Sequence, residues 1–207
     1  MTEPTSNPRE EGEVSPDKNE PDFSKKHPLE TKWTLWFDNP NGKQKQATWG
    51  QTLRTVYTFD TVEDFWCLYN NIIPPSRLSP GSDLHLFREG IEPKWEDPKC
   101  EAGGSWKVMV PKGQKQLLDT MWLHAVLAAI GEQWDDGDEV CGIVVNVRPK
   151  QDRLQVWSKT ASNEAAQVGI GRQLKEFLNI PETVRIGFMA HSDAKKDDRK
   201  AKERYTV

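Results

Sequence analysis

Apolar and polar positions alternate along seven short stretches: Trp33 to Phe37, Leu53 to Phe59, Leu84 to Arg88, Trp106 to Val110, Val140 to Arg148, Arg153 to Ser158 and Val184 to Met189. A period of two with Val, Ile, Trp and Phe predicts strands there. Between them the period lengthens to that of a helix. Val62 to Ile72 follows Thr61, with Asp64 three residues on as a capping partner. Gln116 to Ile130 stops at Gly131, which suits a left-handed cap, and a third helix starts near Ser162 or Asn163 and ends near Leu178, before Pro181. Residues 140–158 read as one long hairpin turning at Pro149-Lys150-Gln151-Asp152. Strands joined by short turns form an antiparallel sheet, and three helices must cover one of its faces, so the class is α+β.

Composition trims this picture at both ends. Residues 1–26 hold seven acids and four bases with only Met1, Val14 and Phe23 as apolar side chains, too little to offset the entropy of ordering. A disordered arm is expected there, and a mobile basic segment over 192–207, where six bases crowd against four acids. Residues 27–191 are left as one compact domain. The chain of 207 residues has a net charge of −4, which argues against coating of nucleic acid by many phosphate contacts. No run is apolar enough for a membrane span, and the first thirty residues lack the apolar core of a signal peptide. Cys67, Cys100 and Cys141 form no C-x-x-C pair and have no His at ligand spacing, which excludes a zinc ribbon. These features predict a cytosolic protein without a metal or cofactor.

Nine Trp remain to be explained. Trp33 and Trp106 alternate with apolar neighbours on strands and Trp122 lies in an apolar helix, so core packing accounts for them. Trp49 and Trp95 instead sit among Lys, Gln, Glu and Pro, in segments that read as loops. One exposed Trp can fold back on the surface; two suggest a stacking site for a flat ligand. Glu96 beside Trp95 is an acceptor-only group that matches the N1–H and N2 amine of guanine, although a loop acid is more often simply solvated. Arg148, Lys150 and Arg153 crowd the end of the hairpin, either as a solvated tip or as a grip on phosphates, and Trp157 shares the strand face of Arg153.

The ordered motifs His27-Pro28-Leu29, Trp33-x-x-Trp36-Phe37, Thr61-Val62-Glu63-Asp64-Phe65-Trp66, Gly90-Ile91-Glu92-Pro93-x-Trp95-Glu96-Asp97, Gly103-Gly104-x-Trp106 and Val144-Val145-Asn146-Val147-Arg148 closely resemble the eukaryotic translation initiation factor 4E family, over roughly residues 27–191. Trp95-Glu96-Asp97-Pro98-x-Cys100 and Asp138-Glu139-Val140-Cys141-Gly142 resemble its plant branch, and Val110 to Lys115 is similar to the plant iso form.

The resemblance implies a curved antiparallel sheet of about eight strands with three helices on its convex face and the 7-methylguanosine 5′ cap of mRNA on its concave face. It implies that Trp49 and Trp95 sandwich the base, Glu96 reads its N1 and N2 donors, Trp157 lies against the N7 methyl, and Arg148 and Arg153 hold phosphates. Ser105 departs from the base usual at that position, so the grip is expected to be weaker or to draw on Lys107 or the C-terminal basic run. His27, Pro28, Val62, Trp66, Leu123 and Leu127 match the surface that binds a Tyr-x-x-x-x-Leu helix of the scaffold factor 4G, or of its plant iso form, and of competing regulators. Plant viral genome-linked proteins are further implied partners. Work in the cytoplasm, with a share in the nucleus, is implied too, as is a redox-sensitive bridge between Cys100 and Cys141. A non-enzymatic cap-binding subunit of translation initiation is therefore expected. Two rivals stand beside it, a cap pyrophosphatase using Asp135, Asp136, Asp138 and Glu139, and a general single-strand RNA binder.

Overall fold

The computed structural model of the chain describes residues 25–39, 52–111, 113–196 and 202–207. Its strands are β1 (Pro28–Asp38), β2 (Arg54–Thr61), β3 (Asp83–Arg88), β4 (Gly104–Met109), β5 (Val140–Asn146), β6 (Arg153–Ser158), β7 (Gly187–Ala190) and β8 (Tyr205–Thr206). They form one curved antiparallel sheet in the order β2-β1-β3-β5-β6-β4-β7-β8. Three helices, α1 (Val62–Asn71), α2 (Lys115–Ile130) and α3 (Glu164–Phe177), cover the face that carries Trp33, Leu35, Leu86, Trp106, Ile143 and Leu154, all buried. Trp122 and Leu118 of α2 and Ile170 and Leu174 of α3 close that core, each burial contributing about 1.5–3 kcal/mol.

Local chemistry sets the ends. The Thr61 hydroxyl accepts from the Asp64 N–H at 3.2 Å and donates to the Asp64 carboxylate at 2.8 Å, which starts α1. Asn163 caps α3 by accepting from Ala166 N–H at 3.3 Å. Gly131 ends α2 without the left-handed geometry expected of it: its φ is −88° and the positive φ of 49° falls on Glu132. Glycine is still required at 131, because a Cβ would meet the Leu127 carbonyl oxygen at 2.9 Å. Glu132 in turn receives both arms of Arg88, whose guanidinium lies 4.9 Å over Trp33.

The hairpin strand stops at Asn146, short of the expected Arg148, because Val147 leaves the ladder. Its N–H goes to Ser82 O at 3.0 Å and its carbonyl receives Gly81 N–H at 2.7 Å. Asp152 closes the turn, accepting from Arg148 N–H at 2.9 Å and from Lys115 at 2.6 Å. The C-terminal segment departs from a mobile tail. His191–Lys196 is a fourth helix, α4, and β8 pairs with β7. Tyr205 makes that strand hold, stacking on Phe188 at 5.6 Å and donating its hydroxyl to Ala161 O at 3.1 Å. Residues 1–24 of the expected arm, like 40–51 and 197–201, lie outside the described residues. Among the described residues no helix is long and apolar enough to cross a membrane.

Candidate functional site

Register fixes what the uncovered face of the sheet presents. Across one row Asp38 faces Asp83, Asp83 faces Asn146 and Asn146 faces Arg153. One step along, His85 faces Val144, Val144 faces Gln155 and Gln155 faces Lys107. In the next row Gly142 faces Trp157 and Trp157 faces Ser105. With Leu53, Pro93 and Trp95 from the loops, most of these side chains line a cavity of about 210 Å³. Strand alternation explains the arrangement, since the core side chains Leu84, Val145, Leu154 and Trp106 occupy the intervening positions.

The cavity mixes cations with buried acids. Arg148 grips Asp83 with both arms, at 2.6 and 2.9 Å, and also donates to Ser82 O and Val147 O. Arg153 Nε donates to Asn146 Oδ1 at 2.9 Å, and Ser105 Oγ to Gln155 Oε1 at 3.2 Å. Lys150 stands exposed at the turn and is not among the cavity's lining residues. His85 is buried with both ring nitrogens unpartnered among the described residues, and burial pushes its pKa down to about 4 against the pull of Asp83 and Asp38. Asp38, Asp83 and His85 place ligand atoms within 4.8 Å of one another, a spacing a divalent cation could draw together. Arg148 already neutralises Asp83, however, and Arg153 and Lys107 stand on the same wall, so the cavity's charge suits an anion.

The loop that carries Trp95 is organised by Asp97, whose carboxylate accepts from Glu92 N–H and Lys99 N–H, both at 2.8 Å. Trp95 reaches the cavity, while Glu96 is exposed and lines a neighbouring open depression of about 520 Å³ with Trp36, Gly90 and Pro98. The Trp95 ring stacks near-parallel to His191 at 6.2 Å and 22°, and His191 lies 4.3 Å from Trp157. Cys100 and Cys141 are free, buried thiols in a small cluster with Phe87, Ile91, Val144 and Trp157, against which Trp95 packs. A hydrogen bond with Cys100, together with burial, drives the Cys141 pKa far up, so the Cys141 thiol stays protonated at neutral pH. Trp49 lies outside the described residues.

A second surface lies on the helix side. Val62 and Trp66 are each 37% exposed, Trp66 with its ring edge-on to Phe65 and Tyr69. Leu123 and Leu127 are half-buried on α2. His27 joins them through its carbonyl, which accepts from Val62 N–H at 2.9 Å, and its exposed ring meets Glu63 at 2.6 Å. That contact holds the Glu63 carboxyl down at about 2. Pro28 opens β1 opposite Thr61.

The model of the family Eukaryotic initiation factor 4E matches residues 28–206. The chain belongs to that family. It is 59% identical over 181 residues to Eukaryotic translation initiation factor 4E-1 of Glycine max, covering 87% of this chain and 74% of that protein. It is 55% identical over 204 residues to the factor 4E-1 of Oryza sativa subsp. japonica, covering 96% of this chain and 88% of that one. Among solved structures it is similar to C. elegans eIF4E-3 in complex with the 4E-binding protein Mextli and a cap analog, with a TM-score of 0.81, 41% identity and coverage of 88% and 100%. It is equally similar to Ascaris suum eIF4E-3 with an m2,2,7G cap, at a TM-score of 0.81 and 42% identity over 88% and 99%. The match to the initiation factor 4E model runs to residue 206 and so takes in α4 and β8, beyond the boundary at 191 expected from composition.

Sequence reasoning did not single out Asp38, Asp83, His85, Asn146 or His191 as candidate site residues. A signal for three of them was present, because Asp83 and His85 alternate with Leu84 and Leu86, and Asn146 with Val145. No local pattern marks His191. Its place follows from the pairing of Gly104 with Ala190.

Proposed function

We propose that this chain is a non-enzymatic subunit of translation initiation that binds the 7-methylguanosine 5′ cap of mRNA in the concave cavity and recruits a scaffold through the α1–α2 surface. The observation that carries the reading is one cavity wall shared by Trp95 and Trp157 with Arg148, Arg153 and Lys107. Rings answer a flat cationic base and bases answer a triphosphate. Methylation at N7 spreads a positive charge over guanine, so each flanking ring adds cation–π attraction of roughly 2 kcal/mol once desolvated. Trp49 is proposed as the second face of that sandwich. Glu96, one residue from Trp95, serves as the acceptor for the N1 and N2 donors and as counter-charge, worth about 1.5–3 kcal/mol.

Arg148 meets the phosphates by exchanging part of its grip on Asp83, and Arg153 joins it; Lys150 adds longer-range attraction from the turn. Ser105 brings no charge, and Lys107, two residues along the same strand face, supplies it. His27, Pro28, Val62, Trp66, Leu123 and Leu127 take an amphipathic Tyr-x-x-x-x-Leu helix of the scaffold 4G or its plant iso form, and viral genome-linked proteins are proposed to exploit the same chain. The work is cytoplasmic, with a nuclear share. Of the acids that could have served a pyrophosphatase, Glu139 is committed to Thr160, at 3.0 and 3.1 Å.

Retention on immobilised 7-methylguanosine triphosphate, with elution by the free analogue and not by GTP, is the expected result. Failure to bind, or equal elution by GTP, overturns the cap reading. Release of 7-methylguanosine nucleotides from capped RNA with Mg²⁺ would make the protein an enzyme instead.

A further inference from the structure

The Trp95 side chain is carried by a loop that no strand ladder holds, yet a stacking wall works only if its plane is fixed before the ligand arrives. The backbone on the other side of the cavity supplies a further support. Because Gly104 pairs with Ala190, the first residue of α4 falls beside the end of the Trp95 loop, and His191 N–H donates to Gly103 O at 2.9 Å. The His191 ring is then wedged between two site aromatics, 4.3 Å from Trp157 and 6.2 Å from Trp95. Lys195, one helical turn on and so on the same face of α4, donates Nζ to the Trp95 carbonyl at 3.1 Å. Arg204, next to β8, holds the helix from behind through Asp193 at 2.7 Å.

We propose that His191 is a positioning residue for Trp95, with α4 acting as a brace that fixes the aromatic wall of the site through the His191 ring and the Lys195 latch. The inference rests on the cap reading for its functional consequence, though not for its structural one. His191 is only 2% exposed and leaves Nε2 without a hydrogen-bond partner among the described residues, so its ring bears on Trp95 and Trp157 by packing. What the imidazole offers is a flat ring that stays neutral. Burial, with Lys195 and Lys107 nearby, lowers its pKa to about 4. A neutral ring behind Trp95 leaves that indole's electron density available to a cationic base on its other face.

The test uses the full chain labelled with 5-fluorotryptophan, with the Trp95 resonance assigned from Trp95→Phe. His191→Ala should broaden or shift the Trp95 line while leaving those of the core residues Trp106 and Trp122 in place. It should also weaken binding of 7-methylguanosine triphosphate about tenfold, and His191→Phe should restore binding to within about twofold. Lys195→Ala, at an exposed position that leaves the fold intact, should loosen the same line and weaken binding about threefold. An unmoved Trp95 line in both alanine variants overturns the brace. Tighter binding by His191→Ala also overturns it, because His191 would then occupy the place of the base. Should the wild type itself ignore the cap analogue, the cap reading falls, and the Trp95 line still decides whether the brace exists.

Discussion

Trp95 combines one ring face turned to a neutral imidazole with a place on the cavity wall, so its truncation is the sharpest single test of the stacking site. Trp95→Leu, and likewise Trp49→Leu, should cost about 2 kcal/mol, roughly thirtyfold in affinity for the methylated cap, with the fluorescence quench of the wild type reduced. Unchanged titration curves in both would remove the sandwich. Glu96→Ala should also weaken the methylated cap, and an untouched affinity would leave Glu96 as a solvated loop acid. Trp49, Trp95 and Glu96 stood out in the sequence because each sits among polar neighbours with nothing local to pack against; the structure has Trp95 on the cavity wall and Glu96 in the neighbouring depression, and Trp49 lies outside the described residues. His191 did not stand out, and His85 showed only as a polar position in an alternating strand, since a lone His beside apolar residues looks like any core position until the register shows its face. Both are held neutral by burial, with pKa values near about 4. In the unfolded chain each takes up its proton near pH 6.5, so the unfolded state binds more protons between about pH 6.5 and 4. Stability should therefore fall as pH drops through that window, by up to about 1.4 kcal/mol per pH unit for each group. Urea midpoints at pH 7.5 and 5.5 check this, and His85→Gln should flatten the slope; a midpoint independent of pH would show that the imidazoles reach solvent.

At the scale of elements, periodicity found all three long helices and seven of the eight strands among the described residues, because each buries a face wide enough to leave a regular pattern. What it lost were pieces whose order is tertiary. The strand β8 spans only Tyr205–Thr206 and owes its place to Phe188 and Ala161, far away in sequence. The early end of β5 came from Ser82 taking the Val147 amide, which no local signal announces. The Cys pair joins the Trp95 loop to β5 in the same way: both thiols are buried in one cluster, and the implied bridge would tie that loop covalently to the sheet. Since the thiolate is the reactive form and the Cys141 pKa is raised, bridging should be slow at neutral pH and speed up in alkali. Non-reducing mass spectrometry after mild oxidation at pH 7 and pH 9 should find a Cys100–Cys141 peptide, with a higher yield at pH 9. Only free thiols at both values, or pairing with Cys67, would dispose of the bridge.

Across the whole molecule the sheet separates two surfaces. Leu84, Leu86, Val145 and Leu154 point into the core beneath α1 to α3, while Asp83, His85, Asn146 and Arg153 belong to the opposite face with Trp95. Trp66 stands on α1, half out of that core, against Phe65 and Tyr69, and is not among the residues that line the cavity. A ring in that position can anchor a partner helix, and losing such an anchor costs at least about 2 kcal/mol of binding. Phe65 beneath it is 3% exposed and carries the packing, so Trp66→Ala should leave the domain folded. The expected outcome is retention on cap resin at the wild-type level together with loss of most affinity for a peptide bearing Tyr-x-x-x-x-Leu, both measured on one preparation with circular dichroism as the fold check. Loss of cap binding with the peptide retained would reverse the assignment of the two surfaces. Unfolding would place Trp66 in the core. In that case Val62→Asp, at a residue equally exposed on the same helix, decides whether the α1 surface binds the peptide at all.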